Sequence, residues 1–285
     1  MIYQIDVSIV ILIWPGDPSA AVHAQAAATL ATTLPDNFEI VIVENGVLSV
    51  DILWPRSVIR ISVDRNIGVP GGWNIGLSAA SGRIVCFINQ DARTTVSAIA
   101  SLGDLLDRNS DIFVVGPEGS IWDLERMEHL SGVLPADHQV ADCDVVSGYL
   151  FAARRLELWA IGGFDLGLSP CGFEEVDLAL RRQLFAAGRA VVIGGLDVKH
   201  EFGVSASPPW RRIRWSGGTI SLGHLHERNK TYMITKSKAM ERSRFVSVKY
   251  DASCVSQVSA GMRILRLSAI TWLARCVHFL RGCRT

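Results

Sequence analysis

No apolar stretch in this 285-residue chain is long enough to cross a bilayer, and there is no collagen-like glycine period, internal repeat or low-complexity tract. With 49% apolar and 20% charged residues the chain is also not a disordered tail. The six cysteines (Cys86, Cys143, Cys171, Cys254, Cys276 and Cys283) include no C-x-x-C pair and no zinc-finger spacing. A basic n-region before the first apolar run is missing too, so free thiols in a reducing cytosol are expected. G-x-G-x-x-G is absent, which weakens a nicotinamide-dinucleotide reading, and there is no H-E-x-x-H. No excess of one charge marks the whole chain, since 28 bases face 28 acids, so nothing suggests nucleic acid as a partner.

What is present begins with length: one large α/β domain or two small ones, able to bury roughly three quarters of the chain's surface. The charges are unevenly placed. From Lys236 to Thr285 ten Lys/Arg stand against two acids, which leaves 18 bases and 26 acids in the rest, an acidic body with a basic tail.

The first 90 residues alternate β-branched runs with helix-like segments, the pattern of β-α-β units and a parallel sheet. Strands are expected at Val7 to Ile13, Phe38 to Glu44, Val58 to Val63 and Arg83 to Asn89. Helices are expected at Pro18 to Thr33 and at Gly71 to Ser81, the second closed by Gly82. Further along, a helix from Thr95 to Arg108, strands at Ile112 to Val115, Val145 to Ala152 and Ala190 to Ile193, and a helix from Glu174 to Gly188 continue the pattern. Glu118 to Val140 reads as a hairpin or excursion, and Ser205 to Gly218 as an aromatic, arginine-rich loop. In open α/β sheets ligands bind outside the carboxyl ends of the strands, so a site is expected there.

Asn89-Gln90-Asp91 ends an apolar strand and holds a carboxylate on a rigid support, a fit place for Mg²⁺ or Mn²⁺; such residues equally well turn a chain and cap a helix. The glycine-dense run from Asn66 to Gly76 lies between a strand and a helix, so its amides either face an anion or serve a loop that needs positive φ. Glu174, Glu175 and Asp177 crowd one helix start, where the helix dipole favours one or two acids and general acid–base chemistry accounts for three. His200 is a lone histidine after a strand, and His224 and His226 read as surface residues of a linker.

These clusters occur in an order that resembles family 2 glycosyltransferases of the GT-A fold. The order is a Val7-Ser8-Ile9-Val10-Ile11 strand, Glu44-Asn45-Gly46, Asn66-x-Gly68 with Gly72-x-Asn74-x-Gly76, Asn89-Gln90-Asp91, Ser147-Gly148, Gly162-Gly163-Phe164-Asp165, Glu174-Glu175-Val176-Asp177-Leu178 with Arg181, and His200. Within that family it looks most like the bacterial rhamnosyltransferase branch, over residues 5 to 236, with Arg228-Asn229, Tyr232 and Lys236 similar to a late pattern.

The resemblance implies a mostly parallel Rossmann-like sheet with flanking helices in a catalytic domain at 1–236, followed by a basic amphipathic helical tail at 237–285. It implies a metal-dependent, inverting enzyme that moves rhamnose or a similar hexose from a nucleoside-diphosphate sugar to a saccharide or lipid-linked saccharide in cell-surface polysaccharide assembly. Asp91 and His200 would hold the Mg²⁺ or Mn²⁺, and Glu44, Asn66, Gly72, Asn74, Asn89 and Asp91 would meet the donor. Glu175 would be the base, with Glu174 and Asp177 beside it. The competing readings are a silent nucleotide-sugar-binding protein and a nucleotidyltransferase. A cytoplasmic location follows, with a homodimer among the assemblies the reading allows. The tail, helical from Ser259 to Arg284, would either lie on an anionic membrane at the inner face of the cytoplasmic membrane or pack on the acidic body.

Overall fold

A computed structural model describes residues 5–47, 52–201 and 207–244. In chain order the elements are β1 (Val7–Ile13), α1 (Ala20–Ala31), β2 (Phe38–Asn45), β3 (Val58–Val63), α2 (Val69–Ala79), β4 (Ile84–Asn89), β5 (Ala92–Thr94), α3 (Val96–Arg108), β6 (Ile112–Gly116), β7 (Gly119–Asp123), β8 (Glu128–Val133), β9 (Val140–Cys143), β10 (Val145–Val146), β11 (Leu150–Arg154), α4 (Arg155–Ala160), α5 (Glu174–Phe185), β12 (Arg189–Ile193), β13 (Val198–His200), β14 (Arg212–Trp215), β15 (Gly218–Ser221) and α6 (Leu222–Arg244).

One eight-stranded sheet organises them, in the order β3-β2-β1-β4-β11-β6-β12-β9. Its first four strands are parallel, and β11 and β9 run against their neighbours. Helices cover both faces, which is why β1 and β4 read as nearly unbroken apolar runs rather than as alternating ones. Successive β1 side chains point to opposite faces. Val7, Ile9, Ile11 and Ile13 join the core beneath α1 and α3, while Val10 and Leu12 join Trp73 and Leu77 of α2.

The chain builds β1, β2 and β3 outward, then returns to lay β4 on the other side of β1. The carboxyl ends of β1 and β4 therefore flank a topological switch point, where open α/β sheets bind their ligands.

Several local expectations change. Val145 to Ala152 is two strands, broken at Ser147-Gly148. The arginine-rich Ser205 to Gly218 segment, expected as a loop, contributes β14 to the β14–β15 hairpin, whereas Glu118 to Val140 holds the expected hairpin as the antiparallel β7–β8 pair. α2 ends at Ala80 in an extended conformation, so Gly82 does not cap it; a Cβ on Gly82 would instead come within 2.6 Å of the Ser8 amide nitrogen. Among the described cysteines, Cys86 and Cys143 are buried and Cys171 half-buried, all as free thiols, with burial pushing the Cys143 thiol up to about 12.

α6 crosses the expected 236/237 domain boundary without a break. Lys236, fully buried, ties this helix to the body through Asp165 (2.7 Å) and Asp177 (2.5 Å). The tail helix expected at 259–284 lies outside the described residues. Among the described residues no helix is long and apolar enough to cross a membrane.

Candidate active site

At the switch point lies a cavity of about 700 Å³. Its floor is the carboxyl edge of the sheet: Trp14 after β1, Asn45 at the end of β2, and Asn89, Gln90 and Asp91 at the end of β4. The Gln90 side chain is turned back to brace this edge, accepting from the Trp14 amide at 2.6 Å and donating to Asp17 at 2.8 Å. That leaves Asp91 as the carboxylate at the β4 end.

β13 pairs antiparallel with β5 so that His200 stands opposite Ala92, one residue from Asp91. The His200 Nε2 lies 3.5 Å from the Asp91 Oδ1. Tyr149 stacks on the imidazole at 4.5 Å and 13°, which fixes the ring plane. A carboxylate and an imidazole suit Mn²⁺ or Mg²⁺. Among the described residues no cluster of three or more Asp, Glu, His or Cys could hold a metal, so a cation at the Asp91–His200 pair would need substrate and water for the rest of its shell.

The start of α5 lines the same cavity. Glu174 and Glu175 both line the cavity. Burial pushes the Glu175 carboxyl above the usual carboxylate range against the pull of its own amide, and among the described residues no cation offsets it. Burial, then the Glu175 charge, raise Glu174 well above that range. Gly148 sits directly behind Glu175; a methyl group there would overlap the carboxylate. The loop leading into α5 is pinned by Asn229, whose side-chain amide reaches the carbonyls of Leu168 (3.1 Å), Cys171 (2.9 Å) and Gly172 (2.9 Å), while Arg228 donates to the Ser169 carbonyl.

Of the residues singled out from sequence, Asn66, Asn89, Asp91, Glu174, Glu175 and His200 come together around this cavity. Four do not. Glu44 alternates away from Asn45 and faces β3, where it is opposite Ser62; Arg60 donates to it twice, at 2.8 and 3.0 Å, and Ser62 at 2.5 Å. Gly72 packs beneath β1, because any Cβ would collide with Leu12. Asn74 clamps the Phe164 backbone, accepting from its amide at 2.9 Å and donating to its carbonyl at 2.8 Å. Asp177 is fully buried between Lys236 and Arg181.

The glycine-dense loop also differs from an anion cradle. The Ile67 amide donates to Asn45 Oδ1, Gly68 to Asn66 Oδ1, Val69 to the Pro170 carbonyl and Gly72 to the Gly68 carbonyl. Its amides are largely spent on shaping the wall, with Gly68 at φ +86° to make the turn.

Sequence reasoning missed Asn45, Trp73, Phe173 and His226 as cavity residues. His226 lies in α6, not a linker, and its ring meets Phe173 at 5.2 Å. Asn45 was legible as the next residue after Glu44 on an alternating strand. Nothing local marks Trp73 or Phe173.

The fold has counterparts among solved structures. A crystal structure of GalNAc-T7 with UDP, GalNAc and Mn²⁺ superposes with a TM-score of 0.56 at 14% identity, over 92% of this chain and 55% of that one. Staphylococcus aureus TarS superposes with a TM-score of 0.52 at 12% identity, over 87% of this chain and 41% of that one. The chain thus spans about half the length of these structures, and the likeness at such identity is one of fold, the GT-A type. No curated protein matches the sequence. The sequence model described as "Glycosyl transferase family 2" matches residues 21–163, half of the chain and the part that carries β1's partner strands, the α2 wall and the Asp91 edge. On that match, this chain belongs to glycosyl transferase family 2.

Proposed function

We propose that the protein transfers a glycosyl group, rhamnose or a similar hexose, from a nucleoside-diphosphate sugar to a saccharide or lipid-linked saccharide hydroxyl, with inversion at the anomeric carbon. The observation that carries this reading is one cavity lined both by Glu175, whose carboxyl burial raises, and by the Asp91–His200 pair.

Displacing a diphosphate from an anomeric carbon needs a base for the acceptor hydroxyl on one side of the sugar and charge neutralisation of the leaving group on the other. Asp91 and His200 would hold a divalent cation, whose chemistry when bound is to neutralise the leaving diphosphate. Glu175 takes the proton of the acceptor hydroxyl as its oxygen attacks. Burial serves this role by raising the basicity of Glu175. A single displacement by one base gives inversion. Asn45 and Asn66 brace each other, with the Asn45 amide donating to Asn66 Oδ1 at 3.0 Å, and so hold the cavity wall on the nucleoside side.

The test is thermal denaturation with a panel of nucleotide sugars, with and without Mn²⁺. A donor at 100 times its Kd stabilises by about 2.7 kcal/mol, a clear rise in Tm. A Mn²⁺-dependent rise with one nucleotide series is expected, and no rise with any member would refute the reading. Release of nucleoside diphosphate, rather than pyrophosphate, separates glycosyl from nucleotidyl transfer.

A further inference from the structure

Two residues in left-handed backbone lead into the carboxylates of α5. Gly172 has φ +95°, and Phe173, directly before Glu174, has φ +72°. Glycine takes such a conformation freely, whereas a bulky residue there is strained and persists only where its surroundings impose it. Among the described residues no other side chain holds the Glu175 carboxylate by a hydrogen bond or ion pair. Its place is therefore set by the backbone at the start of α5 and by the contact with Gly148.

That backbone is held from α6. Asn229 has no exposed surface, and its amide nitrogen donates to the carbonyls of Leu168, Cys171 and Gly172. The last two carbonyls belong to the peptide units on either side of Gly172, so Asn229 fixes the planes from which Phe173 and the first turn of α5 depart. Arg228 decides which way the Asn229 amide faces. Its Nε and Nη2 donate to Asn229 Oδ1 at 3.0 and 2.7 Å, which turns the amide nitrogen towards the loop. The ring contacts of Phe173 with Trp122 (6.2 Å) and His226 (5.2 Å) position a side chain, not a peptide plane.

α6 is itself a firm reference. Tyr232 and Lys236 follow Asn229 by three and seven residues and share its helix face. Both are buried and both donate to Asp165 at 2.7 Å, while Lys236 also reaches Asp177. One stripe of α6 thus grips the chain at residues 165–177 on both sides of Glu175.

Resting on the glycosyltransferase reading above, we propose that Asn229 is a positioning residue for the base. Through the peptide planes around Gly172 it sets where the Glu175 carboxylate stands, and Arg228 keeps its amide in the orientation that does so.

The test follows nucleoside diphosphate release by the full chain in Mn²⁺. The substrate is whichever of UDP-glucose, UDP-galactose, UDP-N-acetylglucosamine, GDP-mannose and dTDP-rhamnose the wild type turns over. Asn229→Leu removes the donors at similar volume. It is expected to lower turnover about 10- to 100-fold, the effect of a displaced catalytic group, while donor Kd from calorimetry stays within about twofold. The deciding readout is the same substitution in a Glu175→Gln background. A residue that acts only through the base has little left to lose there, so the double variant should fall within about threefold of Glu175→Gln alone. Leu106→Ala, a core truncation on α3, lowers Tm away from α5 and α6 and should keep wild-type turnover below its Tm. Arg228→Met, at a half-buried position, frees the Asn229 amide to turn. It should lower turnover by a smaller factor that likewise vanishes beside Glu175→Gln, and it decides the matter if Asn229→Leu does not fold.

Losses that multiply in the double variant, a donor Kd weakened as much as turnover, or full turnover in the folded variants overturn the proposal. A wild type that releases no nucleoside diphosphate from any of the five, or Glu175→Gln turnover equal to wild type, overturns the functional reading beneath it instead.

Discussion

Glu175 and Asp177 are two residues apart at the start of α5, yet their surroundings give them different work. Asp177 is fully buried and paired with Lys236 and Arg181, so it holds α5 and α6 together. Glu175 has burial and, among the described residues, no cation beside it. Glu175→Gln is therefore expected to lower turnover about 10²-fold or more while donor affinity stays within a few fold, read from steady-state kinetics and calorimetry. Asp177→Asn should instead cost about 3 to 5 kcal/mol of stability in urea titration, the loss typical of a broken buried ion pair. The base must be deprotonated to act, so turnover should fall as pH drops through a value above the ordinary 4.5 of a glutamate, and Glu175→Gln should lack that limb. Asp165 behaves oppositely: burial raises its carboxyl, but the Lys236 ammonium overrides this and holds it well below its ordinary 3.8. A depressed folded value contributes stability that is present above about pH 4 and lost as pH falls below it, so urea midpoints should drop between pH 5 and 3. None of this division of labour is visible in the string Glu174-Glu175-Val176-Asp177, because Lys236 arrives from 59 residues away.

At the scale of elements, the apolar runs and their flanking polar residues made β1, β2, β3 and β4 legible almost to their ends, since strands covered on both faces have no competing pattern. What local pattern could not carry was the short pieces. β5 and β13 are three residues each, yet their pairing is what brings His200 to Asp91. Similarly, the stretch from Val145 to Ala152 looks like one strand, and its break at Gly148 exists to let Glu175 approach. Gly148→Ala should therefore mimic Glu175→Gln: the added methyl displaces the carboxylate, turnover falls by about 10²-fold, and donor affinity changes little. Equal turnover in Gly148→Ala and wild type would show that the carboxylate position does not matter. The Glu44 and Asn45 pair makes the same point about faces. Both end β2, but only tertiary pairing with Arg60 and Ser62 decides that Glu44 turns to the sheet edge and Asn45 to the cavity.

Over the whole molecule, the parallel half of the sheet puts a switch point between β1 and β4, and the cavity residues gather there from strands, loops and helices far apart in the chain, from Trp14 after β1 to Asn229 in α6. The charge asymmetry is a second whole-molecule feature: ten bases against two acids after residue 235 suit attraction to anionic lipid at about 1 kcal/mol per basic residue near the surface. Full-length protein is expected to sediment with anionic liposomes at low salt and to be released at high salt; protein left in the supernatant at low salt would remove the membrane from the account. The central claim is that this cavity performs metal-assisted glycosyl transfer with Glu175 and Asp91 in separate roles. It is tested most directly by following nucleoside diphosphate release from the bound nucleotide sugar in Mn²⁺, for wild type, Glu175→Gln and Asp91→Ala. The account predicts release by the wild type, its abolition by EDTA and in Asp91→Ala, and its loss in Glu175→Gln with donor binding retained. Release that survives EDTA and both substitutions would contradict it.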